Sequence, residues 1–146
     1  MGSWIPIATD SDFSLQNLPY GVFSTTSETG PRIGVAVGDQ VLDLKALAQS
    51  GAFASLAKDF DMTSLEEPTL NRYATLGREL HRKVRTFLQD ILAENTTLGH
   101  VLRDQSTLRS ASVIQMQSVK MHLPVSIGNY TDFFTTPHHA QNVRTS

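Results

Sequence analysis

Hydrophobic and polar positions alternate most regularly between Arg32 and Leu44. Ile33, Val35 and Val37 are separated by Gly34 and Ala36, and the two-residue turn Gly38-Asp39 leads into Val41 and Leu42, which predicts a β-hairpin. If Val37 pairs with Gln40, then Val35 lies opposite Leu42 and Ile33 opposite Leu44, so the large apolar side chains share one face. The other face carries Gly34 across from Asp43 and Ala36 across from Val41. Its small residues predict that another backbone or a loop approaches closely there.

Around this hairpin the pattern predicts a mixture of strands and helices. Trp4 to Ile7 reads as a tucked-in extended segment, with Phe13 and Leu15 anchoring the loop that follows. Pro19-Tyr20-Gly21 is a turn before a strand that starts at Val22 and Phe23, and Ser24 to Gly30 is a loop. Leu44, Leu47 and Ala48 form the stripe of a short helix that Gly51 stops. Ser64 and Glu67 fit a capping box, although Pro68 and Thr69 allow a start a few residues later. After it, Leu70, Tyr73, Leu76, Leu80, Val84, Phe87, Leu88, Ile91 and Leu92 recur at three- and four-residue steps, predicting one long helix with its apolar face in the core. His81 flanks that stripe and reads as solvated. A further short helix is expected over Val101 to Ala111, with Leu102 and Leu108 inward, and Val113 to Met121 as extended chain.

Composition narrows the function classes. A length of 146 residues fits one domain, or one domain and the beginning of another. A formal net charge of −2, with Lys and Arg scattered among acids, gives no footprint for nucleic acid or an anionic membrane. The absence of cysteine excludes disulfides, thiolate nucleophiles and cysteine metal sites. No apolar run approaches a membrane span, the opening MGSWIPIATDSD lacks a secretory pattern, and Pro6 stands where a myristoylation motif needs Ser or Thr. The expected compartment is the cytoplasm.

Candidate chemistry concentrates in Met121 to Val143, MHLPVSIGNYTDFFTTPHHAQNV, which gathers a carboxylate, paired imidazoles, aromatics and amides in a turn-rich stretch. Asp132 offers oxygen ligands to a hard cation and His139 a base that titrates near neutral pH, with Pro137 stiffening the chain between them. His122, in an apolar run before Leu123-Pro124, reads as a hydrogen-bonded structural residue, and Tyr130 and Phe133 as packing around the pocket.

The runs QNLPYGVFS, PRIGVAVGDQ, MHLP and YTDF, in this order and with a helical region between them, resemble the amino-terminal part of the fumarylacetoacetase family. The resemblance implies an α+β fold. Residues 1–120 would form a small SH3-like β-barrel domain with added helices, and residues 121–146 a truncated start of the β-roll catalytic domain. It implies a hydrolase that uses water, a divalent cation (Ca²⁺ or Mg²⁺) and a His–Glu pair to cleave the carbon–carbon bond of a 1,3-diketo acid, in the last step of tyrosine and phenylalanine breakdown. Asp132 would be one metal ligand and His139 the general base. Phe134 stands where the family usually has a substrate-contacting Tyr, so one hydrogen bond to substrate would be missing.

The family is homodimeric through its catalytic domain. Its remaining metal carboxylates, the Glu that orients the His, the Lys and Gln of the oxyanion pocket and a substrate-gripping Arg correspond to positions beyond Ser146, and Arg144 replaces the Gly expected after Asn142-Val143. The expectation is therefore a fragment or truncated product that is inactive alone. The alternative is a non-catalytic assembly or regulatory module acting through the apolar strand after Lys120. A third reading, a stand-alone metal site of Asp132, His138 and His139, has no further ligand to support it.

Overall fold

A computed structural model describes residues 2–56, 58, 61–133 and 136–144. Five strands, β1 (Tyr20–Thr25), β2 (Arg32–Val37), β3 (Gln40–Asp43), β4 (Val113–Gln115) and β5 (Val119–His122), form one antiparallel sheet in the order β4-β3-β2-β1-β5. The chain leaves β3 through helices α1 (Leu44–Gln49), α2 (Asn71–Ala74), α3 (Arg78–Leu92) and α4 (Ser106–Ser112), then returns beside β3 as β4. Helix α5 (Pro137–Arg144) follows the sheet.

The hairpin register is the expected one: Val37 pairs with Gln40, Ala36 with Val41, Val35 with Leu42 and Gly34 with Asp43. Gly38 takes φ 54° at the turn, a conformation few side-chain-bearing residues tolerate. A Cβ there would also lie 2.5 Å from the Pro6 carbonyl oxygen. This backbone approach is at the turn and not on the face of Gly34 and Ala36, where it was expected. At Gly34 the crowding comes instead from side chains, since a Cβ would meet the Phe23 ring and Val41 at 2.7 Å.

The hairpin ends one pair earlier than expected. Leu44 is the first residue of α1, and Asp43 caps that helix by accepting a hydrogen bond from the Ala46 N–H at 3.0 Å. The other Asp43 oxygen meets Arg32 Nε at 2.5 Å, with both side chains almost wholly buried. The guanidinium lies 4.5 Å from the centre of the Phe23 ring.

Only Met116 to Ser118 separate β4 from β5, although these strands occupy opposite edges of the sheet. From Gln115 to Val119 the chain can reach no more than about 14 Å. The edges of a flat five-stranded sheet would stand about 19 Å apart. The sheet must therefore curl until its edges come within about 14 Å where the chain crosses between them, and it forms a curled half-barrel. Val113 to Met121, expected as one extended run, is thus two edge strands and the short turn that joins them.

The core fills the space between the inner face of the sheet and the helices, with Val22, Ile33, Val35 and Leu42 against Leu44, Leu47, Val84, Leu88, Ile91 and Leu92. Each such side chain, wholly removed from water, contributes about 1.5–3 kcal/mol. Phe53 packs against Phe87, with ring centres 5.3 Å apart. The amino-terminal segment closes the far end of α3: Ile5 is buried, and the Trp4 indole N–H and Ser3 hydroxyl donate to the Ile91 and Leu92 carbonyls, which have no partner within the helix. Arg85 of α3 donates to the carbonyls of Gln16, Asn17 and Leu18, and Gln89 to that of Leu15, fixing the entry to β1.

The predicted long helix is interrupted. Its buried face is as expected from Leu80 to Leu92, but Thr75, Leu76 and Gly77 separate the four residues of α2 from α3, and Gly77 takes φ 88°. The capping box is absent too. Asp61 caps a turn of 3₁₀ helix over Met62–Leu65, and the Ser64 hydroxyl donates to the Asp61 carbonyl. The helix expected over Val101 to Ala111 starts only at Ser106, after a 3₁₀ turn at Gly99–Val101, while Leu102 is buried as expected.

His81 is half-buried rather than solvated; its Nε2 pairs with the Tyr73 carbonyl at 2.8 Å. Tyr73 stacks on Tyr20 with ring centres 5.3 Å apart and donates to the Tyr20 hydroxyl at 3.2 Å. Burial pushes both phenols above the ordinary tyrosine range. The unfolded chain loses these protons near pH 10 while the folded chain keeps them, so stabilisation is complete below about pH 10 and falls as pH rises beyond it. Denaturation midpoints are expected to decline above pH 10, with Tyr20 and Tyr73 ionising as helical circular dichroism is lost. Ionisation of both at the ordinary tyrosine pKa in a still-folded chain would contradict this placement.

Candidate functional site

The candidate segment begins inside the sheet. β5 pairs along β1, with Met121 opposite Phe23 and His122 opposite Val22. His122 is the structural residue expected: its Nε2 lies 2.8 Å from the Ser24 hydroxyl, a neighbour on the same sheet face. Beyond it the chain runs without helix or strand from Leu123 to Phe133. Among the described residues, two contacts return this run to the folded body. The Leu70 N–H donates to the Pro124 carbonyl at 2.8 Å, and the Asn71 amide exchanges two hydrogen bonds with the Ser126 backbone, at 2.7 and 3.0 Å.

Asp132 is exposed near the end of this run. Tyr130 and Phe133, expected as packing residues, are 85% and 75% exposed. Their flanking residues are exposed as well, so the described part of the chain gives these rings no surface to pack on. Phe134 lies outside the described residues. Pro137 opens α5, where its fixed φ suits the first helical position and its missing N–H costs no helical hydrogen bond. His138 and His139 follow within α5. His138 is exposed, and the His139 side chain lies outside what is described.

The residues thus share one exit path from the sheet. Among the described residues no three His, Cys, Asp or Glu side chains gather as a metal site. The type of donor suits a hard cation, because Asp132 carries carboxylate oxygens, but Ca²⁺ or Mg²⁺ wants about six or more and one Asp supplies at most two. The described residues therefore make no cation cage by themselves.

The family model described as "Fumarylacetoacetase N-terminal" matches residues 16–124, from the loop held by Arg85 to the proline that meets Leu70. The chain belongs to the fumarylacetoacetase N-terminal family. Human fumarylacetoacetase is 45% identical over 141 residues, covering 97% of this chain and 32% of the human protein. The Arabidopsis thaliana fumarylacetoacetase is 45% identical over 141 residues, 96% of this chain and 32% of its own length. The Aspergillus fumigatus fumarylacetoacetase is 41% identical over 144 residues, 98% and 33%. The chain spans about a third of the length of the curated relatives it matches. No helix among the described residues is long and apolar enough to cross a membrane.

Sequence periodicity missed α2 and its contacts with the exit path. The signal that could have revealed them is Gly77, the only glycine between Leu70 and Leu92 and a punctuation mark in an otherwise helical pattern.

Proposed function

We propose that this chain is the amino-terminal part of a fumarylacetoacetase, a hydrolase that cleaves the carbon–carbon bond of 4-fumarylacetoacetate to give fumarate and acetoacetate in tyrosine and phenylalanine catabolism. One observation carries the reading. The likeness to proteins named fumarylacetoacetase covers 97% of this chain in the human case, whereas the family model ends at residue 124. It therefore takes in most of the segment that holds Asp132 and His139.

In this reading the curled sheet and its helices, residues 1–120, are an SH3-like barrel domain, an assignment supported by the curl of its five-stranded sheet. Residues 121–146 begin the catalytic β-roll, which completes the site and through which the enzyme forms a homodimer in the cytoplasm. His139 takes a proton from water as the water oxygen attacks the substrate carbonyl. The carbon–carbon bond then breaks, with its electron pair leaving on the enolate, which is afterwards protonated. Asp132 would supply one oxygen ligand to Ca²⁺ or Mg²⁺, and a bound divalent cation would provide positive charge where the enolate develops. Phe134 leaves one substrate hydrogen bond unmade.

The test is the cation requirement of turnover by the complete enzyme. Asp132→Asn, which keeps the shape and removes the charge, is expected to raise the Ca²⁺ or Mg²⁺ concentration giving half-maximal activity by at least about tenfold, in line with the loss of a charged oxygen ligand. An unchanged cation requirement would remove Asp132 from the site.

A further inference from the structure

Helix α2 has only four residues, and three of them hold different parts of the molecule. Tyr73 is buried, stacks on Tyr20 of β1 and receives His81 of α3 on its carbonyl. Arg72 pairs with Asp61 at 2.5 Å and Glu67 at 3.2 Å, tying down the preceding turn. Asn71 faces the other way. Its amide donates to the Ser126 carbonyl and accepts from the Ser126 N–H, so one side chain satisfies both backbone groups of a residue in an otherwise irregular run. The adjacent Leu70 N–H, on a residue packed against the core, holds the Pro124 carbonyl.

The orientation of α2 depends on the interruption at Gly77, which separates it from α3. Leu70 stands at the amino-terminal end of α2, where its N–H has no acceptor within the helix, and it donates to the exit path instead. Leu123 and Ile127 flank these contacts and are 72% and 70% exposed, so apolar burial does not fix this run within the described chain. Hydrogen bonds from α2 do.

We propose that α2 is a bracket, with Asn71 as a positioning residue that sets the direction in which the chain leaves β5 for Asp132 and His139. This rests on the proposed reading of those two residues. A displacement of about 1 Å at a reacting group can cost about a hundredfold in rate. Asn71, by holding Ser126 six residues before Asp132, therefore acts on turnover without touching substrate.

Two measurements separate the bracket from the reaction. In this chain, backbone hydrogen exchange at Ser126 is expected to quicken about tenfold in Asn71→Ala, consistent with the loss of a single hydrogen bond. In Asn71→Asp, which keeps an acceptor for the Ser126 N–H, the change should be smaller. Asn71 is exposed at the edge of the fold, so the melting temperature should hold. In the complete enzyme Asn71→Ala is expected to lower kcat by about tenfold with KM changed less than about twofold, and Asn71→Asp to recover part of it. Unchanged Ser126 exchange would overturn the bracket, and faster exchange with unaltered kcat would overturn the positioning role. Absence of turnover in the unsubstituted enzyme would reject the proposed activity, while the exchange measurement would still decide the bracket.

Discussion

Arg32→Met is expected to destabilise the fold by about 3–5 kcal/mol, a large part of the total stability of a domain of this size. The reason lies in what remains behind. Arg32 is 3% exposed and its guanidinium serves three neighbours: the Asp43 carboxylate, the Phe23 ring and the Glu28 carbonyl. Methionine replaces much of the volume but leaves the Asp43 charge buried, with only the α1 amino terminus to receive it. The outer contact with the Glu28 carboxylate, at 3.5 Å and more than half exposed on the glutamate side, adds little.

The double change Arg32→Met with Asp43→Asn is expected to recover most of the loss. Asparagine still caps α1 and no unpaired charge remains. Urea denaturation of the two variants beside the parent chain measures this directly. An unchanged midpoint for Arg32→Met would mean that the pair does not hold the hairpin to the helix.

The sequence disclosed the fold wherever one periodicity governed a stretch. The alternation of Ile33, Val35 and Val37, broken by Gly38-Asp39, was enough to set the β2–β3 register pair by pair. The three- and four-residue spacing from Leu80 to Leu92 located the buried face of α3. It was less informative where two demands compete at one residue. Leu44 has the apolar character of another strand position, but the Asp43 carboxylate starts a helix there. Tyr73 and Leu76 keep the helical spacing while Gly77 interrupts the backbone, so spacing alone joined two helices. Strand partners across the curled sheet were not legible because β4 and β5, close in sequence, pair with β3 and β1 rather than with each other.

The candidate site divides along similar lines. Residue chemistry and family likeness singled out Asp132 and His139, and the structure puts both on the path leaving β5. Local sequence could not show what aims that path, since Asn71 and Ser126 meet across 55 positions. Aromatic character suggested buried walls for Tyr130 and Phe133, but burial requires an opposing surface, and the described chain supplies none.

The proposal that His139 is the general base of a carbon–carbon hydrolase carries the largest expected effect on activity. General-base catalysis contributes about 10²–10⁴-fold, and an alanine in its place leaves no group to take the proton from water. The loss should persist at saturating substrate and divalent cation, because the missing step follows binding. The most direct measurement is the disappearance of the enol absorbance of fumarylacetoacetate, followed with this chain alone and with the complete enzyme, each beside its His139→Ala variant in Ca²⁺ or Mg²⁺. Turnover is expected from the complete enzyme only, reduced at least about a hundredfold by His139→Ala. Undiminished turnover in that variant, or none from the folded complete enzyme, would contradict the proposal.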